Sequence, residues 1–211
     1  MIIFQRMVTF EGPPQEVVPW AMEITEHVNK STELDTSLWQ GLFGGPLGTV
    51  VWSTLVENLT AVEAAFDTLG GDQAFLDLQS KARDWVNTPG EDTLLRMVHV
   101  TGGEYDRPGV GAYAEVTTAV PAEGKLAQAG AWAVEIADMH FALTHQPVLF
   151  CTSAYGDFGR MAWLGISPSA AAIDDAAEIV AKDEDYTAKL DQGGGLFQEG
   201  SATRQLARRI A

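Results

Sequence analysis

The sequence predicts an α+β fold made of two tandem copies of one β-α-β-β-α-β unit. Three observations support this prediction. The chain matches itself when it is shifted by about 111 residues, each half shows the same order of periodic segments, and a segment rich in glycine and proline separates the halves. We therefore divide the chain into repeat 1 (residues 1–101), a linker (102–111) and repeat 2 (112–211).

Tryptophan anchors the internal repeat. The segment WAMEI at 20–24 matches WAVEI at 132–136, and Trp52 matches Trp163. Further pairs, near the end of the second helix of each copy, are Asp72 with Asp183 and Phe75 with Tyr186. The distance in sequence between matched residues is 112 for the first segment and 111 for the later pairs. This nearly constant distance indicates a duplication.

The first strand and helix of repeat 1 follow from periodicity. Residues 2–10 alternate as a strand does, and Pro13 and Pro14 stand where a helix can begin, since proline lacks the amide hydrogen that a first turn leaves unused. A helix over 15–29 then carries apolar residues at helical spacing.

A hairpin, a second helix and a closing strand complete repeat 1. A strand over 37–43 leads into GGPLG, whose glycines permit a tight turn, and TVVWSTLV forms the partner strand. Asn58 is the predicted N-cap of the second helix, and residues 94–100 form the last strand.

Repeat 2 shows the same order. Its predicted strands cover 112–120, 147–154, 160–166 and 203–210, and its predicted helices cover 122–143 and 170–188.

This order is that of a ferredoxin-like unit, in which a four-stranded antiparallel sheet carries both helices on one face. The other face would alternate with polar residues if it met water. Strands such as TVVWSTLV and PVLFC carry few charges, as strands buried on both faces do. We therefore expect the two bare faces to meet in an intramolecular pseudo-dimeric α+β barrel.

The chain resembles the dimeric α+β barrel superfamily, which includes antibiotic-biosynthesis-monooxygenase-like, NIPSNAP-like, EthD-like and chlorite-dismutase-like families. Element order, the segment VVWSTLVENLTAVEAAF and the paired helix-end residues carry the resemblance. It implies a small apolar or aromatic ligand between each sheet and its own helices. The roof of that pocket would be KARDWVNTPGED (81–92), with Trp85, in repeat 1 and DQGGGLFQEG (191–200) in repeat 2.

Net charge and cysteine content restrict the classes of binding partner and the cellular compartment that we expect. The chain has 29 acidic and 13 basic residues, a formal net charge of −16, which disfavours nucleic acid and anionic membrane surfaces. Its start does not resemble a signal peptide, and no apolar run is long enough to span a membrane, so we expect a cytoplasmic protein. We expect a small-molecule partner and either a monomeric pseudo-dimer or a homodimer.

Cys151, the single cysteine, lies in a hydrophobic strand and is interpreted as an inert buried thiol.

Several aromatic and polar residues are candidates for the pocket. Cofactor-free monooxygenases of the superfamily position aromatic substrates with Asn, Trp, His or Tyr, and the matching residues here are Trp39, Trp52, Asn58, His99 and Trp163. None of them completes a signature, so the catalytic residues stay unknown. Because Trp52 and Trp163 are equivalent in the two copies, packing is favoured over catalysis for both.

The histidines do not form a metal-binding pattern. His140 and His145 are five residues apart, which is not a helical ligand spacing, and no HxxxH or HExxH motif is present. We expect no metal and no cofactor. Haem is the alternative, since haem-binding relatives have an axial histidine in their second repeat, but neither His140 nor His145 aligns with it.

Charged residues inside strands are costly to bury unless they are paired. Arg6 and Arg96 lie on the first and last strands of repeat 1, and Glu115 lies on the first strand of repeat 2. We hypothesise that Arg6 or Arg96 meets Glu115 across the barrel interior or binds a ligand carboxylate. The alternative is that these residues reach water at the strand edges.

Three functions remain open: a small-molecule-binding barrel, a cofactor-free monooxygenase-type enzyme acting on an aromatic compound, and a haem protein.

Overall fold

A computed structural model describes residues 1–86, 89–103 and 105–211. Asn87 and Thr88 of the predicted roof segment and Glu104 of the predicted linker lie outside the described residues. The division into two domains at residues 101 and 112 stays a prediction.

Each half of the chain contains four strands and three helices among the described residues. The elements of repeat 1 are β1 (Ile2–Thr9), α1 (Pro14–Ser31), β2 (Ser37–Phe43), β3 (Thr49–Val56), α2 (Leu59–Gly70), α3 (Gln73–Lys81) and β4 (Glu91–Val100). Those of repeat 2 are β5 (Tyr113–Ala119), α4 (Leu126–Thr144), β6 (Val148–Tyr155), β7 (Met161–Ser167), α5 (Ala170–Lys182), α6 (Glu184–Gln192) and β8 (Thr203–Arg209). Within the described ranges, no helix has both the length and the apolar character needed to cross a lipid bilayer.

The second helix of each unit is broken in two, where the sequence predicted one continuous helix in repeat 2. Asp72 and Asp183 stand at the breaks in extended backbone conformation. The Asp72 carboxylate accepts hydrogen bonds from the amides of Ala74 (2.9 Å) and Phe75 (3.2 Å), and that of Asp183 accepts one from Tyr186 (2.7 Å). An aspartate that caps these free amides begins a new helix, which explains the break.

The eight strands form one closed barrel in the order β1-β3-β2-β8-β5-β7-β6-β4, with every neighbouring pair antiparallel. Repeat 1 contributes one half of this circle and repeat 2 the other half. The halves join where β2 pairs with β8 and where β4 pairs with β6. The predicted pseudo-dimeric α+β barrel is thus confirmed, and its bare faces surround a common interior.

The helix side of the two sheets has matching cores. The Trp20 indole N–H donates to the carbonyl of Leu78, and that of Trp132 donates to the carbonyl of Lys189, both at 2.8 Å. Each of these tryptophans also meets the tryptophan of its own β3 or β7 edge to face, at 6.1 Å to Trp52 and 6.2 Å to Trp163. The duplication seen in the sequence is therefore retained in side-chain contacts.

Candidate ligand site inside the barrel

The barrel encloses a cavity of about 860 Å³ that residues from all eight strands line. Side chains alternate across each strand, so odd positions of β1 (Ile3, Gln5 and Met7) line the cavity, while Phe4 and Arg6 point to the helix side. We call this cavity the lumen. Its volume lies within the range of roughly 300–1,000 Å³ that is usual for small-molecule pockets.

The part of the lumen formed by β5, β6 and β7 is mainly apolar, although repeat 2 also contributes polar lining residues, among them Thr118, Ser153, Thr203 and Gln205. We call this part the apolar wall; it consists of Ala114, Val116, Leu149, Ala162, Leu164 and Ile166. These side chains come from β5, β6 and β7, and the pairs Val116↔Leu164 and Leu149↔Leu164 stand opposite each other in register. This surface can bury a hydrocarbon face at about 25 cal/mol per Å².

The part formed by repeat 1 carries a line of polar side chains. We call it the polar row; it consists of Thr93, Gln5, Ser53 and Ser37. The strand register makes them neighbours, since Gln5 pairs with both Thr93 and Ser53, and Ser53 pairs with Ser37. Trp39 borders the row, and its indole N–H donates to the Ser53 hydroxyl at 2.9 Å.

Tyr105 and Arg107 of the linker line one end of the lumen, which we call the floor. The Arg107 guanidinium donates to the carbonyl of Thr36 (3.0 Å) and the hydroxyl of Ser37 (3.1 Å), and it also binds the Asp35 carboxylate. Tyr105 packs against the buried cluster around Leu149, and burial raises the pKa of its phenol. The phenol is therefore neutral at physiological pH.

The opposite end of the lumen, the mouth, lies between the β2–β3 turn and the β6–β7 turn. Four large apolar side chains at these turns are exposed: Phe43, Leu47, Tyr155 and Phe158. An ion pair between Arg160 and Asp157 and the exposed carboxylate of Glu91 also border the mouth.

Of the predicted tryptophans, Trp39 alone lines the lumen among the residues described. Trp52 and Trp163 lie between sheet and helices, where their indole N–H groups donate to the Thr25 hydroxyl (2.8 Å) and the Ala133 carbonyl (3.1 Å). Trp85 meets Trp20 edge to face at 6.0 Å. These three therefore occupy packing positions.

The other predicted polar residues lie outside the lumen. Asn58 caps α2 by accepting from the Ala61 amide at 3.1 Å, and it shares a shallow groove with the exposed Arg96. His99 bonds to the Asp138 carboxylate of α4 at 2.7 Å. Each of these groups thus has a structural position on the outside of the barrel.

The predicted pairing of Arg6 or Arg96 with Glu115 is wrong. Arg6 makes two hydrogen bonds of 2.7 Å to Asp92, which raise the pKa of its guanidinium, and Glu115 accepts from Arg204 at 2.5 Å. The physical reason is strand periodicity: Arg6 and Glu115 both stand at positions that face away from the lumen.

The space between each sheet and its helices, where the sequence predicted the ligand, is occupied by aromatic side chains. In repeat 2, Trp132, Trp163 and Phe197 meet pairwise with ring centroids 5.5–6.2 Å apart. In repeat 1, Phe10 and Trp52 pack around Trp20 in the same way. The cavity described above lies instead on the other face of the sheets.

Two groups that do not line the lumen, the half-buried His140 and the buried Cys151, have shifted pKa values. Burial lowers the pKa of His140, whose ring lies 6.2 Å from that of Tyr186, while Glu115 acts in the opposite direction. Burial raises the pKa of the Cys151 thiol to about 12, so it stays protonated and unreactive. Among the described residues, no three His, Cys, Asp or Glu side chains are grouped as a metal site would require.

The sequence interpretation missed Gln5, Ser53 and Thr93, and also Tyr105 and Arg107. Gln5 and Ser53 carried a signal, since each is an uncharged polar residue within a mainly apolar strand, whereas Thr93 follows two acidic residues and carried none. Tyr105 and Arg107 also carried none, because they lie in an irregular linker whose path depends on the closed barrel.

No family model and no curated protein matches this sequence. Solved structures do match it over nearly its whole length. A candidate monooxygenase from Fusobacterium nucleatum has a TM-score of 0.73 and 8% identity, covering 100% of this chain and 92% of that chain. An anthrone oxidase-like protein has a TM-score of 0.72 and 11% identity, with 100% and 91% covered. A ferredoxin-fold protein from Listeria monocytogenes, related to antibiotic biosynthesis monooxygenases, has a TM-score of 0.50 and 10% identity, with 100% and 96% covered.

At these identities the likeness shows the fold alone. The chain has the ferredoxin-like α+β barrel fold of these structures, so the fold that the resemblance implied is confirmed. The NIPSNAP-like resemblance stays a prediction.

Proposed function

We propose that this chain is a small-molecule-binding barrel that holds a hydrophobic or aromatic ligand inside the lumen, between the sheets of its two repeats. The observation that carries the proposal is the cavity of about 860 Å³ that both repeats line, with an apolar wall on one side and a floor bordered by Tyr105 and Arg107. This location replaces the site between sheet and helices that the sequence favoured.

Binding is favoured over catalysis by the placement of the titratable groups. All four histidines lie outside the lumen, and the carboxylates that border it, Asp35, Glu91, Asp92 and Asp157, are grouped at its floor and mouth. A general base must lie within hydrogen-bond reach of the proton that it removes. The middle of the lumen offers amide and hydroxyl groups in place of such a base.

The second candidate is a cofactor-free oxidation of an aromatic substrate. Trp39 and Tyr105 border the lumen and could hold an electron-rich ring. The likeness to a candidate monooxygenase and to an anthrone oxidase-like protein favours this class. Oxygen uptake on addition of anthrone would establish it, and its absence would leave the binding function.

A haem protein is not favoured by the packing. His140 and His145 do not border the lumen, and Trp132, Trp163 and Phe197 fill the space between sheet and helices in repeat 2. The residues present do not fit a group of that size. A Soret band in haem-titrated protein would overturn this part of the proposal.

Binding of the neutral fluorescent probe N-phenyl-1-naphthylamine tests the proposed function. Val116→Trp places a large ring on the apolar wall and is expected to abolish probe binding. Val98→Trp makes the same change at a strand position that is exposed outside the barrel, and it should bind the probe as the wild type does. Folding of both variants is checked by circular dichroism, and undiminished binding by a folded Val116→Trp protein would refute the lumen as the site.

The proposal includes a cytoplasmic protein that acts as a monomeric pseudo-dimer or as a homodimer. The closed barrel supports the monomer, because barrel closure within one chain leaves no strand edge to be paired by another copy. Light scattering in solution distinguishes the two states.

A further inference from the structure

The polar row and the apolar wall of the lumen differ in polarity, and this difference indicates which kind of ligand the lumen can bind. The apolar wall belongs to repeat 2, and the polar row belongs to repeat 1. A ligand that was apolar on every side would leave the Gln5 and Thr93 side chains of the polar row without hydrogen bonds, which is costly for polar groups that the ligand shields from water.

The polar row has unused hydrogen-bonding capacity. Within the described parts of the chain, the side chains of Gln5 and Thr93 make no hydrogen bond, although both line the lumen. The Ser53 hydroxyl accepts from Trp39, which leaves its own hydrogen free to donate. Residues directly opposite on antiparallel strands lie about 5 Å apart, so the three groups present donors and acceptors along roughly 10 Å.

The middle of the lumen is also uncharged. The two cationic side chains that border the lumen lie at its ends and are paired, Arg107 with Asp35 and Arg160 with Asp157. An anionic ligand would lose its hydration without gaining an unpaired cation, which opposes its binding.

Resting on the proposed function, we propose that the lumen selects a neutral, flat, mainly hydrocarbon molecule that bears a carbonyl or hydroxyl oxygen on one edge. The oxygen-bearing edge faces Gln5, Ser53 and Thr93 of repeat 1. The hydrocarbon face lies against Leu149 and Leu164 of repeat 2.

Competition between 9-fluorenone and fluorene for the N-phenyl-1-naphthylamine site tests this orientation. The two competitors differ only by a carbonyl group in place of a methylene group, and fluorenone is the less apolar of the two. We expect the wild type to bind fluorenone more tightly than fluorene by about five- to tenfold, the effect of one net hydrogen bond. The Gln5→Leu variant should lose this preference while it keeps its affinity for fluorene.

Gln40→Leu is the matched control, since Gln40 lies on β2 at a position between the lumen-facing Trp39 and Gly41 and does not border the cavity. It should retain the preference for fluorenone. Thr93→Val provides a second lumen variant if Gln5→Leu fails to fold, and it should also reduce the preference.

The outcomes separate the inference from the proposed function. If neither competitor displaces the probe, the proposed function fails. If both displace it equally in the wild type, or if folded Gln5→Leu and Thr93→Val proteins keep the preference for fluorenone, the orientation is overturned while the binding function stands. Binding of 9-fluorenone-4-carboxylate as tight as that of fluorenone would overturn the selection for neutral ligands.

Discussion

At the scale of single residues, Thr25 connects α1 to the sheet of repeat 1. Its hydroxyl donates to the Ala21 carbonyl at 2.6 Å and accepts from the Trp52 indole at 2.8 Å, and the residue is only 2% exposed. Water therefore cannot take the place of the Thr25 hydroxyl as the acceptor for the Trp52 indole N–H.

Thr25→Val is expected to lower the free energy of unfolding by about 1–3 kcal/mol, because it leaves the Trp52 N–H buried without a partner. The measurement is the urea midpoint at an unchanged m-value. Thr68→Val is the control, since Thr68 makes the same bond to a helix carbonyl, that of Ala64, but is exposed. That variant should change stability by less than about 0.5 kcal/mol, and equal effects of the two changes would refute the role of the buried bond.

The shifted pKa of His140 predicts how the stability of the protein depends on pH. Burial lowers its folded-state pKa below the unfolded value of about 6.5. As pH falls below that value, the unfolded chain therefore binds a proton first, and stability decreases until pH reaches the folded pKa. His140→Gln should flatten the dependence of the urea midpoint on pH below about 6.5.

His145→Asn is the matched control for this titration. It also removes an imidazole, but from an exposed position where the backbone has φ 57°, a conformation that asparagine tolerates. It should leave the pH dependence as in the wild type. If His140→Gln kept the full pH dependence, His140 would not be its source.

The candidate residues show what the sequence could and could not reveal at this scale. Gln5 and Arg6 are neighbours on one strand, and only the register decides which of them faces the lumen, because a shift of one residue reverses every side chain. The sequence directed attention to the charge of Arg6, and the structure places Gln5 inside. Trp39, a predicted pocket candidate, borders the lumen, and the sequence could single it out because a tryptophan on a strand is conspicuous whichever way it points.

At the scale of elements, the hairpins and the caps were predictable from local chemistry. β2 covers 37–43 as predicted, and Asn58 caps α2 as predicted. The break between α5 and α6 was missed, since aspartate inside a helical pattern becomes a cap only when the tertiary fold bends the chain there.

Gly193 ends α6 where the helix packs against Trp132. A β-carbon added there would lie 2.7 Å from the indole ring, which its hydrogen bond to Lys189 holds in place, although the backbone itself (φ −70°) would accept alanine. Gly193→Ala is therefore expected to destabilise the protein by about 1–3 kcal/mol through overpacking.

Gly70→Ala is the comparison at the end of α2, where an added β-carbon meets nothing within 4 Å. It should be neutral or stabilise the protein by up to about 1 kcal/mol through helix propensity. Thermal unfolding of both variants tests the pair, and a Gly193→Ala protein as stable as Gly70→Ala would contradict the close packing of α6 on Trp132.

At the scale of the whole molecule, the duplication predicted the barrel because a sheet with helices on one face must cover its other face. The sequence could not locate the ligand site. The resemblance pointed to the helix side, and only the packed structure shows that large aromatic side chains, among them Trp20, Trp52, Trp132 and Trp163, fill that side in the two repeats. Packing of this kind depends on side-chain volumes from distant segments, which local patterns do not report.

The most direct test is a crystal structure of the protein with 9-fluorenone bound. We expect density for the ligand inside the barrel, with its carbonyl oxygen in hydrogen-bond distance of the Gln5 amide nitrogen and its rings against Leu164. Density between α4 and the sheet of repeat 2, beside His140 and Tyr186, with an empty lumen would show instead that the ligand site lies on the helix side.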